Sequence, residues 1–566
     1  MLLAKAKTMK IKLSKKIILL IVIIFVGSFF RLYKLGQIPN GFYVDEAAIG
    51  YNAYSLLKTG KDEYGKVFPV FLRSYGAYAP PLYAYTSIIP IALLGPTVFS
   101  VRFVSALAGI IIILLVYLLL ESFKLSKANY FSLLGAFFFA ISPWNIFFSR
   151  GAFEANLAFL LILSAVYFLI KAARKLVFLI PASFLLALST YAYQAERLVS
   201  YLIIISFFVV YLGCYFRRHL FKKEIIISIL LFIVLQIPQI SLFFSPAFKI
   251  RASGLFYGEA IANQAKNIHL PRLISYPLAF TREFSANFIS YFSPRNLFWV
   301  GDSDLQRGLP EMGPLYFWMV IPYLIGLFAV AKRYKEKNIF FLILLALSFA
   351  IVPSLTKDPF STLRSLPLSF PIITVIGLGA VNLWENKYKK LILFTGAFLL
   401  LISLVLFWRS YFVLLPNERA KIWGYGFNQL AEEIQKRPNE KFLIDQSRTK
   451  PVYIELAFFM SYPPEVFHQE VDSKIRESYY SNVTFTDNYQ FANIETRGIV
   501  WEKDIYKEQI LVGDEFSVSE GQAREHFLTK VFEIRDPTGI VVFVGYRTNP
   551  EEKCINTRYE SELCNK

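Results

Sequence analysis

The chain has 566 residues; 55% are hydrophobic, 17% aromatic and only 18% charged, and the formal net charge is +19. A soluble domain carries about a quarter charged residues, so this composition excludes an ordinary soluble enzyme. The basic residues lie in short connections between apolar runs, the positive-inside pattern of cytoplasmic loops. No clustered basic face stands apart from the membrane segments, which argues against a nucleic-acid partner.

Taken in chain order, a lysine-rich start (Lys5 to Lys16) precedes an apolar run at 17–30. It has the form of a signal peptide without a small-residue cleavage site, and reads as a retained first helix. Apolar runs at 17–33, 99–120, 129–147, 153–170, 176–192, 198–216, 224–242, 314–331, 338–354, 365–384 and 390–413 are each long enough to cross about 30 Å of hydrocarbon. The expected fold is an α-helical polytopic membrane protein with about eleven transmembrane helices. With the N-terminus in the cytoplasm, alternation puts 121–128, 171–175, 217–224, 331–337 and 385–390 on the same side. These are the basic connections, so threading and charge agree. His219 falls in one of them and is no metal ligand. The segment 80–95 is apolar but short, with prolines at both ends. Counting it as a span would put the basic loops outside, so it is placed at the outer interface.

The outer side then receives the loop 34–98, a short loop near 148–152, the turn 191–198, the loop 243–313, the loop 353–364 and everything after about 414. The transmembrane part is expected over 1–413 and a small extracytoplasmic α/β domain over 414–566. In that tail, 417–435 reads as an amphipathic helix; 441–445, 498–502 and 509–513 read as strands. Residues 531–546 read as a hairpin with an Asp-Pro-Thr-Gly turn. Cys214, at the end of a span, is inert; Cys554 and Cys564 can pair if that end lies outside the cytoplasm.

The expected outer face gathers a particular set of polar groups. Asp45 and Glu46 stand side by side in the first loop, followed by Tyr78, then Arg102 at the outer end of the next span. Arg150 and Glu154 follow, then Gln194, Glu196 and Arg197, then Asp302, Arg307 and Glu311, and finally Lys357, Asp358 and Arg364. Charges at a membrane boundary are expensive and mark function by default. Carboxylates mixed with cations suit a reaction in which a nucleophile loses a proton beside an anionic lipid phosphate. Each group also has a structural reading. Asp45–Glu46 suits a helix N-terminus, Arg102 can snorkel, and Arg150 and Glu154 stand at i, i+4. A divalent cation held by Asp45 and Glu154 is a further candidate; no zinc-ligand spacing occurs.

The stretches DEAAIGYNAYSLLKTGKDEYG (45–65), YAPPLYAY (78–85), FSVRFVSALAG (99–109) and ISPWNIFFSRGAFEANL (141–157) resemble the family 39 glycosyltransferases. Among these are the protein O-mannosyltransferases and the aminoarabinose transferases, within the wider GT-C class. The resemblance implies a membrane enzyme of the plasma (inner) membrane that moves a sugar from a polyprenyl-phosphate donor, with inversion, on the outer face. The acceptor would be a protein, glycolipid or glycan. Asp45 falls at the family's first-loop general base, Glu154 at a second acidic residue and Arg102 at a recurrent arginine. Relatives carry a histidine before two prolines, or a lysine before one proline that helps hold the phosphate. Here Ala79 precedes Pro80, so the phosphate falls to other cations, with Arg102, Arg307, Lys357 and Arg364 as candidates. The rival reading is a transporter or flippase of lipid-linked sugars, which would carry its ionisable groups near the midplane. A second rival, a scaffold with a sensory outer domain, would not need Asp45.

Overall fold

The computed structural model describes residues 14–74, 77–212, 222–242, 244, 258–385, 387–448, 452–477, 479, 488–556 and 562–564. Cys214, His219, the lysines before residue 14 and most of 243–257 lie outside the described residues. Six described helices are long and apolar enough to cross a membrane: Val98–Phe123, Glu154–Ala172, Lys223–Ser241, Lys337–Ser354, Leu366–Trp384 and Lys389–Glu418. Four shorter apolar helices, Leu82–Leu94, Phe131–Ile141, Leu176–Ser189 and Phe317–Lys332, accompany them. The first helix, Lys15–Leu32, starts at Ser14, whose hydroxyl accepts from the amide of Ile17. Its outer side leaves Ile21 and Phe25 bare, as Lys389–Glu418 leaves Phe394 and Leu401. Apolar surface of this extent is stable only against lipid.

Local chemistry explains where the helices depart from the expected spans. The run 129–147 is not one helix. It ends at Ile141, and Pro143, which has no amide hydrogen to give, opens a second short helix, Pro143–Phe148. The segment 80–95 forms the 13-residue helix Leu82–Leu94. At 1.5 Å per residue it is about 20 Å long, short of the hydrocarbon thickness. The described part of the loop 243–313 contains helices Gly258–Asn267 and Arg272–Ser290.

The first loop supplies the helix Val44–Thr59 and a hairpin of β1 (Leu72–Ser74) against β2 (Ala77–Ala79). The tail folds around a six-stranded sheet built from β3 (Phe442–Ile444), β4 (Tyr489–Phe491), β5 (Ile494–Thr496), β6 (Ile510–Gly513), β7 (Thr529–Arg535) and β8 (Val541–Arg547). Its order is β4-β5-β3-β6-β8-β7, with β3 parallel to both β5 and β6 and the remaining pairs antiparallel. The 441–445 and 509–513 strands and the 531–546 hairpin are present. Two tail expectations need correction. The apolar run 498–502 is not a strand; the strand lies earlier, at β5, and Trp501–Asp504 is a helical turn whose Asp504 accepts from the Val500 amide at 2.8 Å. The helix expected over 417–435 is broken by Gly424 and Gly426, both left-handed (φ 73° and 103°), and resumes as Phe427–Gln435. Cys554 and Cys564 form a disulfide.

The tail and the first loop share one apolar core. Phe42 packs against Phe458 with ring centroids 4.7 Å apart, and Tyr51 meets Phe467 at 5.4 Å. The helix Tyr453–Phe459 therefore packs directly on Val44–Thr59, the helix that carries Asp45.

Candidate active site

Asp45 and Glu46 occupy the first turn of Val44–Thr59. Neighbouring residues on an α-helix point about 100° apart, so the two carboxylates cannot share a direction. Asp45 faces outward into a cavity of about 340 Å³. Glu46 turns inward, fully buried, onto Arg102.

The Arg102 guanidinium is spent on this contact and its surroundings. Its Nε donates to Glu46 Oε1 at 2.9 Å and Nη2 to Glu46 Oε2 at 2.8 Å. The remaining donors go to the carbonyls of Leu35 (3.3 Å), Pro39 (2.9 Å) and Gly41 (2.7 Å). All five guanidinium N–H groups are used. Glu46 Oε1 also accepts from the Ala152 amide at 2.8 Å. Neither Glu46 nor Arg102, expected as a catalytic and a substrate-binding residue, lines the cavity, because each satisfies the other. Arg150 is likewise buried. It donates to the carbonyls of Phe30, Tyr33 and Ile38 and lies over the rings of Tyr411 and Phe412, so it ties the first helix to the core and does not line the cavity.

The cavity does gather five of the expected residues: Asp45, Glu154, Gln194, Arg307 and Arg364. Glu154 opens the helix Glu154–Ala172, so both carboxylates sit in a first helical turn. The Ala152 amide bound by Glu46 lies two residues before Glu154 and fixes the turn that presents it. Gln194 donates to the Tyr78 carbonyl at 2.7 Å, tying the turn 191–198 to β2. Tyr78 itself is buried, its hydroxyl donating to the carbonyl of Tyr479, and it supports the wall without lining it.

Asp302 anchors the loop that delivers Arg307. It accepts from the amide and hydroxyl of Thr362 (2.8 and 2.7 Å) and from the Asp304 amide (3.0 Å). Asp302 therefore positions a cation and does not line the cavity. Arg307 makes an ion pair with Asp304 at 3.3 Å. Burial alone would lower its pKa, but Tyr193, Asp304, Tyr43 and Asp302 outweigh burial and hold the guanidinium above its ordinary value. Arg364 donates to Thr356 at 3.0 Å and pairs with Asp358. Lys357 is exposed and outside the cavity, and Arg197 lies over the Phe71 ring at 5.8 Å, also outside its lining. Glu311 pairs with Arg409 at the surface. Glu196 is buried, and burial pushes its carboxyl up to about 8.

Several lining residues escape the sequence reading, among them Tyr43, Asn52, Arg73, Ser74 and Tyr193. Asn52 had a signal: it stands seven residues after Asp45, two helical turns along the same face. It is locked by Glu63, donating to Oε1 at 2.9 Å and accepting from the Glu63 amide at 3.1 Å. Tyr453, from the tail, donates to the other Glu63 oxygen at 2.9 Å. Arg73 had none, since its place depends on a three-residue strand. Among the described residues, no three His, Cys, Asp or Glu side chains gather as a metal site.

No family model matches this sequence, and no curated protein matches it. Solved structures do. ArnT from Cupriavidus metallidurans in the apo state superposes with a TM-score of 0.53 at 11% identity, over 94% of this chain and 97% of that one. The same protein bound to undecaprenyl phosphate gives 0.50 at 11% identity, over 94% and 98%. An oligosaccharyltransferase from Archaeoglobus fulgidus in the apo form gives 0.48 at 14% identity, over 98% and 77%. The two ArnT structures are GT-C glycosyltransferases, so the resemblance read from the sequence holds at the level of the fold.

Proposed function

We propose that this chain is a membrane glycosyltransferase that moves a sugar from a polyprenyl-phosphate donor to an acceptor on the extracytoplasmic face. The observation that carries the reading is the single cavity lined by Asp45, Glu154, Arg307 and Arg364. Asp45 takes the proton from the acceptor hydroxyl or amine. The freed oxygen or nitrogen attacks the anomeric carbon from the face opposite the leaving group, and the bond from that carbon to the phosphate oxygen breaks. Polyprenyl phosphate departs with the electron pair, its charge met by Arg307 and Arg364. In-line attack inverts the anomeric centre. Glu154 shapes the same cavity from the opposing helix end. A neighbour of the same fold that binds undecaprenyl phosphate supports the donor class.

No step is placed on a divalent cation. Asp45 and Glu154 offer two carboxylates and share the cavity with three arginines, Arg73, Arg307 and Arg364, whereas magnesium and calcium sites draw on more oxygen ligands. About eleven spans, a cytoplasmic N-terminus in the plasma (inner) membrane, and a division into 1–413 and an outer 414–566 complete the reading. The Cys554–Cys564 disulfide supports the outer placement of the tail, because such bonds persist in oxidising compartments. A flippase would set its ionisable groups at the midplane; Asp45 and Glu154 lie at helix starts. The test is sugar release to solvent or acceptor by purified protein supplied with a panel of polyprenyl-phosphate sugars. Turnover supports transfer; movement of intact donor across a vesicle without cleavage would favour the flippase.

A further inference from the structure

A second cavity, of about 600 Å³, lies apart from the first. It is walled by the stretch after the first helix (Gly36 to Gly41), the start of Val98–Phe123, and the tail segments 424–429 and 458–459. The helix Val44–Thr59 separates the two. Asp45, Ala48, Ile49 and Asn52 face the first cavity, whereas Gly50, on the other side of the helix, packs against Phe458 of the second.

The lining carries no acidic or basic side chain. Its polar side chains are four amides, Gln37, Asn40, Asn428 and Gln429, with the Thr97 hydroxyl held by Ser100, and its aromatic walls are notably Phe99, Tyr425 and Phe459. The amides of Gln37 and Gln429 make no hydrogen bond among the described residues, so both are open to a ligand. The floor is rigid. Gly41 and Gly424 cross so closely that a Cβ on the first would lie 2.4 Å from the Trp423 carbonyl oxygen, and one on the second 2.7 Å from that of Phe42. The volume falls within the range of ligand pockets, about 300–1,000 Å³.

An amide offers a donor and an acceptor side by side, which matches the paired donor and acceptor character of sugar hydroxyls. Aromatic faces match the C–H faces of a pyranose ring. A wall without charge gives no purchase to a phosphate, a carboxylate or an ammonium group. We propose that this cavity is a binding site for a neutral glycan, separate from the cavity of Asp45. The proposal does not depend on the catalytic reading of that cavity. A site of this kind, on the far side of the Asp45 helix, would hold an extended glycan while another part of the chain is free to move.

The full-length protein is reconstituted in phospholipid nanodiscs, without glycosidic detergent. Saturation-transfer NMR then tests binding of neutral trisaccharides of glucose, mannose and N-acetylglucosamine, with glucose 1-phosphate as the charged control. At least one trisaccharide should bind. Its affinity should fall about tenfold in the Gln37→Ala, Gln429→Ala double variant, the loss of roughly one hydrogen bond's worth of free energy. The same affinity should persist in Asp45→Asn. Phe99→Ala, at a partly exposed ring, gives a second variant that leaves the core intact. The proposal is overturned if no neutral trisaccharide binds, if the double variant and Phe99→Ala both keep full affinity, or if binding is lost in Asp45→Asn instead.

Discussion

Glu46 and Arg102 form a fully buried, bidentate ion pair, and the same carboxylate also accepts from the Ala152 amide. One contact thus joins the helix of Asp45, the helix Val98–Phe123 and the turn that presents Glu154. Removing one partner leaves a buried charge without its counterion, at a cost of about 3–5 kcal/mol. Glu46→Ala and Arg102→Ala should each lower the thermal midpoint of the solubilised protein sharply. Arg102→Ala combined with Glu46→Gln should lose less than the sum of the two single variants, because the stranded charge is gone. A midpoint unchanged in both single variants would contradict the structural role.

Two of the expected cations, Arg307 and Arg364, line the cavity and differ from the rest. Arg307→Ala and Arg364→Ala should each raise the KM for a polyprenyl-phosphate donor by about tenfold or more, since a charge-assisted hydrogen bond is worth roughly 1.5–3 kcal/mol. Lys357→Ala, one exposed charge outside the cavity, should leave it unchanged. Steady-state kinetics with donor varied at fixed acceptor separates these outcomes.

Glu63 makes stability depend on pH. Burial raises its carboxyl to about 8, against the opposing hydrogen bonds from Asn52 and Tyr453. The folded value lies above the unfolded one, so between roughly pH 4.5 and 8 the folded chain holds a proton that the unfolded chain has lost. Stability from this group is therefore full at the acid end and is lost as pH rises through that window. The slope approaches about 1.4 kcal/mol per pH unit at most. Thermal midpoints measured across pH 5–8 should fall less steeply in Glu63→Gln than in the wild type; parallel curves would remove Glu63 as the source.

Metal removal gives a plain outcome. Transfer should survive exhaustive treatment with EDTA, because the proposed chemistry rests on a carboxylate and two guanidinium groups. Loss of transfer on chelation, restored by magnesium or manganese, would return the cation to Asp45 and Glu154.

Much of the helical architecture is legible in the sequence because long apolar runs have one physical solution in a bilayer. The break at Pro143 was equally open to reading. The site is legible only in part. Asp45, Glu154, Arg307 and Arg364 announce themselves as charges near membrane boundaries, and the structure brings them to one cavity. The resemblance singles out Asp45, but the inward turn of Glu46 onto Arg102 shows only once the helix turns the two apart. Arg102 and Arg150 look like cations for a substrate, but Glu46 and backbone carbonyls from distant stretches engage Arg102, and carbonyls engage the terminal nitrogens of Arg150. The tail was the least legible, since β4 and β5 are three-residue strands whose pairing is set by tertiary contacts.

The central claim is that Asp45 is the base of a sugar transfer from a lipid-phosphate donor. The direct measurement is turnover of synthetic polyprenyl-phosphate sugars by purified wild type and by Asp45→Asn, with thermal midpoints taken on the same samples. Asp45 is exposed in the cavity, so the substitution should leave the midpoint unchanged. The account predicts that turnover falls by about 10²–10⁴-fold, the contribution of a positioned general base. Equal turnover by the two proteins would contradict it.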